Sequence, residues 1–280
     1  MGSEQLEHCF GLWLSNNCLS FGYITLIFQN LFLLSGILKA IKAFAVDIDG
    51  TLTENGGGIV HLPAIENLRY LERLGYKIIY VTGRSSVEAY ILAVFGGTTK
   101  VAVGENGGAL TIGPQEHILL ASKEKCLEGY EILKKNIDRV QIKPVFNRLT
   151  EIVLFRTFDI KQGRKILDEH NLDLTLNDSK YAFHINEKGV DKGRGLNEAL
   201  KILKTQPEET VAIGDSETDI PMFDICGCSV ALSDADEEVT SRAKHVVRGR
   251  EGYGLVDAID FVAFNYLRMG TRNDISPSSE

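Results

Sequence analysis

Two pairs of aspartates lie where this chain could carry out metal-dependent chemistry. Asp47 and Asp49 come at the end of one apolar, β-branched run, and Asp215 and Asp219 follow another. Such runs predict buried strands, and open α/β sheets bind their ligands at the carboxyl ends of strands. Four carboxylates gathered there would repel one another unless a cation lay between them. Because Mg²⁺ prefers carboxylate oxygens, the pattern predicts a Mg²⁺ site.

Two further side chains, Thr82 and Lys192, lie at predicted helix starts, where each could bind an anion. Thr82 follows the apolar run Ile78–Val81 and offers a hydroxyl where backbone N–H groups favour phosphate. Lys192 opens another helix, although the helix dipole disfavours a cation there. Each feature also has an ordinary explanation: an Asp-Gly turn after Asp49, a helix cap at Thr82 and a solvated lysine. Their occurrence together favours a site.

Strand-like and helix-like segments alternate from Ile41 onward, which predicts a doubly wound, Rossmann-like α/β core with a parallel sheet. Val101–Val103 is expected to be its third strand, and Glu105–Gly108 a hairpin turn. Later the pattern changes to short strands around two helices, which predicts a smaller inserted α+β domain. The predicted divisions are an apolar extension at 1–40, the core at 41–113 and 189–268, the insertion at 114–188 and a polar tail at 269–280.

The composition argues against several classes of protein. The 280 residues carry a formal net charge of −8, and no cluster of lysine and arginine indicates a nucleic-acid partner. The five cysteines are odd in number and lack C-x-x-C spacing, so they indicate neither a disulfide framework nor a zinc site. Reduced thiols are the default of a cytoplasmic protein, and we expect that location. These patterns leave the oligomeric state open, with a homodimer as one alternative.

The first 40 residues differ in character from the rest of the chain. Residues 18–38 are apolar and long enough to cross a membrane, but Ser20, Thr25 and Gln29 interrupt them and no lysine or arginine precedes them. We therefore expect an extension that the chemistry does not need, or a start codon placed too far upstream. A membrane anchor through this segment is the alternative.

In order and spacing, Asp47-Ile-Asp-Gly-Thr, Thr82, Lys192 and Gly214-Asp215-x-x-x-Asp219 resemble the four motifs of haloacid dehalogenase-like phosphatases. The resemblance covers about Ile41 to Leu267. The insertion is similar to the α/β cap of the Cof-like subclass. Its short length and the Glu-Asn-Gly-Gly turn before it are most similar to those of archaeal phosphoglycolate phosphatases. The resemblance therefore implies a haloacid dehalogenase-like core with an α+β cap domain.

The resemblance also implies a mechanism. Asp47 would attack phosphorus and form an aspartyl phosphate, while Asp49 would act as general acid and then general base. The implied Mg²⁺ ligands are Asp47, the main-chain carbonyl of Asp49, Asp215 and Asp219. The implied contacts of the phosphoryl group are Thr82, Gly83 and Lys192.

The implied substrate is a small phosphorylated metabolite, foremost 2-phosphoglycolate, with a sugar-phosphate phosphatase or phosphomutase as the alternative. A carboxylate leaving group would require one positive group in the cap, whereas a sugar would require several neutral donors. The cap candidates for this contact are Arg148, Arg156, Lys180 and His184. A non-catalytic or membrane-tethered phosphate-binding protein is a third hypothesis. The presence of Asp49 argues against it, since binding a metal does not require an acid at that position.

Overall fold

The computed structural model describes residues 40–54, 58–179 and 181–267. None of the helices in these ranges is long and apolar enough to cross a membrane. Apart from Ala40, the predicted extension at 1–40 lies outside the described residues, and so does the predicted tail at 269–280. The alternative of an anchor through residues 18–38 therefore stays untested.

Strands and helices alternate through most of the described chain. In chain order the strands are β1 (Ala43–Val46), β2 (Thr53–Glu54), β3 (Ile59–Val60), β4 (Lys77–Tyr80), β5 (Ala102–Gly104), β6 (Ala109–Gly113), β7 (Glu116–Leu119), β8 (Ile152–Leu154), β9 (Leu174–Asp178), β10 (Phe183–Glu187), β11 (Thr210–Gly214), β12 (Cys228–Ala231) and β13 (His245–Val246). The helices are α1 (Leu62–Arg73), α2 (Ser86–Gly96), α3 (Lys123–Asn136), α4 (Ile160–Glu169), α5 (Lys192–Ile202), α6 (Ile220–Ile225), α7 (Glu237–Arg242) and α8 (Glu251–Asn265).

A five-stranded parallel sheet forms the core, in the order β13-β12-β11-β1-β4. All four residues of the central strand β1 are buried, as expected of a strand with helices on both faces of its sheet. Phe44 and Val46 pack with residues of α1 and α8, whereas Ala43 and Ala45 pack with residues of α5 and α6. Because β1 and β11 are parallel neighbours, their carboxyl ends lie side by side.

The third predicted strand departs from the expectation. β5 meets β4 through an isolated parallel bridge between Val81 and Val103, and it pairs with β6 in an antiparallel sheet of β5, β6 and β7. Glu105 and Asn106 have positive φ values of 56° and 52°, which reverse the chain after Gly104. The hairpin predicted here is confirmed, but the strand before it belongs mainly to the hairpin sheet.

The insertion contains a separate antiparallel sheet in the order β8-β10-β9. Its own hydrophobic cluster joins Leu133 of α3 and Leu167 of α4 to Ile185 of β10. The predicted α/β core with a smaller α+β cap is therefore confirmed. The exact boundaries at 114 and 188 stay predictions.

Candidate active site

Asp47 lies directly beyond β1 and is only 3% exposed. Its Oδ1 accepts a hydrogen bond of 2.7 Å from Lys192 Nζ, and the same ammonium group donates to Asp219 Oδ1, also at 2.7 Å. Lys192 begins α5, and Asp219 lies in the loop after β11. Three segments that are far apart in sequence therefore join in one buried ion-pair network.

Asp215 completes a group of three acids with Asp47 and Asp219. Each contributes one carboxylate oxygen, and these oxygens lie within 4.8 Å of one another. Thr51 Oγ1 donates to Asp215 Oδ1 at 2.6 Å, which joins the turn after β1 to the loop after β11. Gly50 allows this approach, because its φ is 87° and a Cβ there would come within 2.4 Å of Asp215 Oδ2. The turn after Asp49 thus requires glycine.

Asp219 also organises the loop that carries Asp215. Its Oδ2 accepts hydrogen bonds from the backbone N–H groups of Asp215, at 3.0 Å, and Ser216, at 2.9 Å. The Ser216 hydroxyl donates to the same oxygen at 3.0 Å. Since Lys192 donates to Oδ1, both carboxylate oxygens of Asp219 are hydrogen-bonded. Asp219 therefore positions both Asp215 and Lys192.

The electrostatics of the site are those of negative charge held out of water. Burial raises the pKa of Asp47 well above its ordinary value, against the lowering effect of the Lys192 charge. Burial, together with the charge of Asp219, raises the pKa of Asp215 to about 7. Burial opposes the charged form of Lys192, but Asp219 and Asp47 outweigh it and raise the pKa of the lysine. The acids therefore favour a further positive charge beside them.

This group of acids fits a divalent cation. Lys192 pairs with two of the three acids, and with all three ionised its single ammonium group leaves an excess of two negative charges. The available donors are carboxylate oxygens, the type that hard cations prefer. The site is therefore suited to a hard divalent metal.

Thr82 and Gly83 follow the neighbouring strand β4. Thr82 is fully buried, and its Oγ1 accepts a hydrogen bond from the Arg84 N–H at 3.1 Å. Its carbonyl accepts from the Asn106 N–H, also at 3.1 Å. Among the described residues, its hydroxyl makes no hydrogen bond to Asp47. Thr82 is thus at the expected strand end, but its contact with a phosphoryl group stays a prediction.

Asp49 differs from the three clustered acids in its surroundings. Its side chain is 43% exposed, and both of its oxygens pair with Arg84, from Nε and from Nη2, at 2.7 Å each. The contact with Asp49 raises the pKa of Arg84. Sequence reasoning did not single out Arg84. The available signal was a cation directly after Thr82-Gly83 and before Ser85, which caps α2.

Glu105 is a second residue that sequence reasoning missed. It is fully buried, and its carboxylate accepts hydrogen bonds from the backbone N–H groups of Leu149 and Thr150 and from the Thr150 hydroxyl, at 2.7 to 3.0 Å. Burial, reinforced by the charge of Glu151, raises the pKa of Glu105. Glu105 therefore joins the core hairpin to the segment of the cap that leads into β8.

The structure brings two of the four cap candidates together. Arg148 Nε lies 3.4 Å from Glu151 Oε1, and His184 Nδ1 lies 3.0 Å from Glu151 Oε2. Arg156 instead pairs with Asp178 at 2.8 Å, on a more exposed part of the cap. Lys180 lies outside the described residues. The candidates that sequence could not rank are thus divided by their surroundings.

A family model described as haloacid dehalogenase-like hydrolase matches residues 44–145 and 121–259 of this chain. Among curated relatives, a protein of Nitrosopumilus maritimus named phosphoglycolate phosphatase is 52% identical over 222 residues. That match covers 79% of this chain and 96% of the relative.

Solved structures agree with the fold. A crystal structure of a Thermoplasma acidophilum protein aligns with a TM-score of 0.71 and 22% identity, covering 82% of this chain and all of the other. A sugar phosphatase of subclass IIB of the same superfamily aligns with a TM-score of 0.64 and 18% identity, covering 80% and 98% of the two chains. At such identities the likeness concerns the fold alone.

Proposed function

The chain belongs to the haloacid dehalogenase-like hydrolases, and we propose that this phosphatase hydrolyses 2-phosphoglycolate to glycolate and phosphate with Mg²⁺ as its metal. The observation that carries the proposal is the buried network in which Lys192, at the start of α5, joins Asp47 and Asp219 beyond the ends of adjacent strands. The name of the Nitrosopumilus maritimus relative, which is 52% identical, supports the substrate.

We assign the nucleophile to Asp47. An Asp47 oxygen attacks phosphorus in line, and the bond from phosphorus to the leaving oxygen breaks, which leaves an aspartyl phosphate. The hydrogen bond from Lys192 supports this role, because it orients the carboxylate and favours its ionised form. Asp219 supports it indirectly, since it holds the other side of the same ammonium group.

The metal would be held by Asp47, Asp215, the main-chain carbonyl of Asp49 and, directly or through water, Asp219. A bound Mg²⁺ would neutralise the charge that develops on the transferring phosphoryl group. Thr82, Gly83 and Lys192 would contact the phosphoryl oxygens through a hydroxyl, a backbone N–H and an ammonium group. With all three acids ionised, the excess of two negative charges supports a divalent ion over a monovalent one.

We assign proton transfer to Asp49. Its carboxylic acid would protonate the leaving alkoxide, and the resulting carboxylate would take a proton from the water that attacks the aspartyl phosphate. Its solvent exposure supports this exchange of protons. Because Arg84 occupies both carboxylate oxygens, Asp49 must leave this pair at least in part when it contacts the leaving group.

The Asp47→Asn variant tests the catalytic proposal. The amide keeps the shape of the side chain but cannot act as the nucleophile, so we expect phosphate release from 2-phosphoglycolate to fall by at least about 10³-fold. The control is Asp138→Asn, which removes an exposed carboxylate of the cap and should leave the rate unchanged. Full activity of Asp47→Asn would overturn the assignment.

A substrate panel tests the leaving group. Phosphate release from 2-phosphoglycolate, hexose phosphates and erythronate phosphate should be compared by kcat/KM, with and without Mg²⁺. We expect the highest value for 2-phosphoglycolate with Mg²⁺. A higher value for the hexose phosphates would favour the sugar-phosphatase alternative.

Two finer proposals accompany this function. We propose a cytoplasmic location, which the free thiols of Cys126, Cys226 and Cys228 support. We also propose a cap domain within 114–188, which is supported by the hydrophobic cluster that its helices and sheet share; β7, near the start of this range, pairs with β6 of the core hairpin.

A further inference from the structure

The cap contains a buried polar cluster that the catalytic proposal does not use. Glu151 is fully buried, and its Oε2 lies 3.0 Å from both His184 Nδ1 and Asn186 Nδ2. Arg148 Nε lies 3.4 Å from the other oxygen, and the Arg148 side chain is only 10% exposed. These four residues, hereafter the cap cluster, bring an arginine into a protected position.

The position of the cluster in the sheet distinguishes it from the cap core. Phe183 and Ile185 of β10 pack into the hydrophobic cluster with α3 and α4. Because side chains alternate along a strand, His184 and Asn186 lie on the opposite face. Both are nonetheless about 95% buried or more. On the face of β10 that points away from α3 and α4, the side chains of His184 and Asn186 are therefore polar and buried.

Arg148 connects this face to the catalytic core. Its Nη1 donates to the Gly83 carbonyl at 3.1 Å, directly beside Thr82. The Arg148 carbonyl accepts from Lys123 Nζ at 2.6 Å, and Glu105 accepts from the N–H of the next residue, Leu149. These hydrogen bonds hold the backbone at Arg148 and Leu149 in place, and the guanidinium group of Arg148 lies next to the proposed phosphate-binding segment.

The guanidinium group of Arg148 is incompletely paired. Nε is buried and has no hydrogen-bond partner of acceptable geometry, and Nη2 has none among the described residues. Because Nε is buried beside Glu151 Oε1, an incoming anion would meet Nη2 first. Hydrogen bonds from arginine to a carboxylate are charge-assisted and stronger than those between neutral groups, so Nη2 favours an anionic ligand.

The other arginines nearby are already committed. Arg84 pairs through its own Nε and Nη2 with Asp49, and its side chain is 35% exposed. Arg156 is engaged by Asp178 and is 45% exposed. Of these three arginines, only Arg148 is both largely buried and hydrogen-bonded to the core. Its Nη2 also has no hydrogen-bond partner among the described residues, so it can donate to a ligand.

We propose that Arg148 determines specificity by binding the carboxylate of the leaving group, and that Glu151, His184 and Asn186 are positioning residues for its guanidinium group. The inference rests on the proposed function, because it requires a substrate with a carboxylate close to the phosphate ester. In 2-phosphoglycolate only one methylene group separates the two. One anion would then bind Thr82 and Lys192, and the other would bind Arg148 across the boundary between core and cap.

The test compares two substrates that differ in the carboxylate. Steady-state kcat/KM is measured for 2-phosphoglycolate and for ethyl phosphate, which keeps the phosphate ester and lacks the carboxylate. We expect Arg148→Gln to lower kcat/KM for 2-phosphoglycolate by about 10- to 100-fold, as for loss of a charge-assisted hydrogen bond, and to change ethyl phosphate hydrolysis by less than about 3-fold. Arg148→Lys should recover part of the loss, since lysine keeps the positive charge but lacks the planar guanidinium group.

Arg156→Gln is the matched control and should leave both substrates unaffected. Equal losses on both substrates would show that Arg148 merely holds the cap, and wild-type kcat/KM on both would show that it does not bind the carboxylate. Either result would overturn the inference and leave the proposed function standing. A wild-type enzyme without preference for 2-phosphoglycolate would instead overturn the proposed substrate, and the inference with it. Ethyl phosphate activity in each variant also reports that the protein is folded.

Discussion

The catalytic core and the cap cluster are both buried groups of charged residues, but they differ in how completely those residues are paired. In the core, Lys192 joins Asp47 to Asp219, and both oxygens of Asp219 are hydrogen-bonded. In the cap, Arg148 Nε, Glu151 Oε1 and Asn186 Oδ1 are buried without a hydrogen-bond partner among the described residues. The core is therefore preorganised before substrate binds, whereas the cap cluster keeps a buried donor and two buried acceptors without hydrogen bonds.

This difference separates the chemistry from the choice of substrate. Phosphoryl transfer requires fixed charges around phosphorus, and fixing them in advance lowers the cost of reaching the transition state. Recognition of a leaving group instead requires polar groups that only the correct ligand satisfies, since the wrong ligand leaves them unpaired. Changes in the core should therefore affect every substrate, and changes in the cap cluster only those with a carboxylate.

The largest effect outside the nucleophile is expected for Lys192→Met. The change leaves Asp47 and Asp219 without their shared cation, so phosphate release should fall by about 10²- to 10³-fold on all substrates. Removing one partner of a buried ion pair should also destabilise the metal-free protein by about 3 kcal/mol. Urea unfolding in EDTA and in Mg²⁺ measures this loss, which Mg²⁺ should reduce by supplying positive charge.

Lys201→Met is the matched control for that experiment. Lys201 lies on the same helix and pairs with Glu198 at the surface, where such pairs contribute less than about 1 kcal/mol. If Lys192→Met were no less stable than Lys201→Met in EDTA, the network would not be preorganised by its lysine.

An intermediate effect is expected for Gly50→Ala. The new Cβ would meet Asp215 Oδ2 at 2.4 Å. Relieving this contact requires the carboxylate to move by about 1 Å, and a misplacement of about that size should lower kcat by about 10²-fold. Gly75→Ala separates this contact from backbone strain, because Gly75 has a φ of 99° with open space around it. Both variants should lose stability, and activity should fall only in the first. Loss of activity in both variants would show that backbone strain alone lowers activity, and that the contact between Gly50 and Asp215 has no specific role.

The smallest effect is expected for Glu151→Gln, which keeps the shape of the side chain that positions Arg148. The KM for 2-phosphoglycolate should rise by about 3- to 10-fold with kcat unchanged, and ethyl phosphate kinetics should not change. Glu187→Gln, which removes a cap carboxylate paired with Lys125, is the control. A change in kcat on both substrates would mean that Glu151 affects catalysis in the core, and that the cap cluster does not act on substrate binding alone.

The core site was predictable because its residues occupy short motifs at strand ends. Asp47 and Asp215 each follow a buried apolar strand, and parallel neighbours bring those ends together. The strand predicted at Val101–Val103 is present as β5, but apolar periodicity does not reveal that it meets β4 through one bridge and pairs mainly with β6.

The cap cluster was not predictable as a unit. Arg148 and His184 were candidates, but they are 36 positions apart in the chain and meet through the antiparallel pairing of β8 with β10. Glu151, which holds them together, is an acid next to an apolar strand and resembles any solvated end residue. The pairing of Asp49 with Arg84 was equally hidden, because a motif specifies which residues are present and not their rotamers.

Trapping the phosphorylated enzyme tests the central claim most directly. The wild-type protein is mixed with 2-phosphoglycolate and Mg²⁺, quenched in acid within the first turnover, and digested for mass spectrometry. The account predicts a phosphate group on the peptide that contains Asp47, and no such peptide in Asp47→Asn. Phosphate on a different residue, or turnover by Asp47→Asn at the wild-type rate, would contradict it.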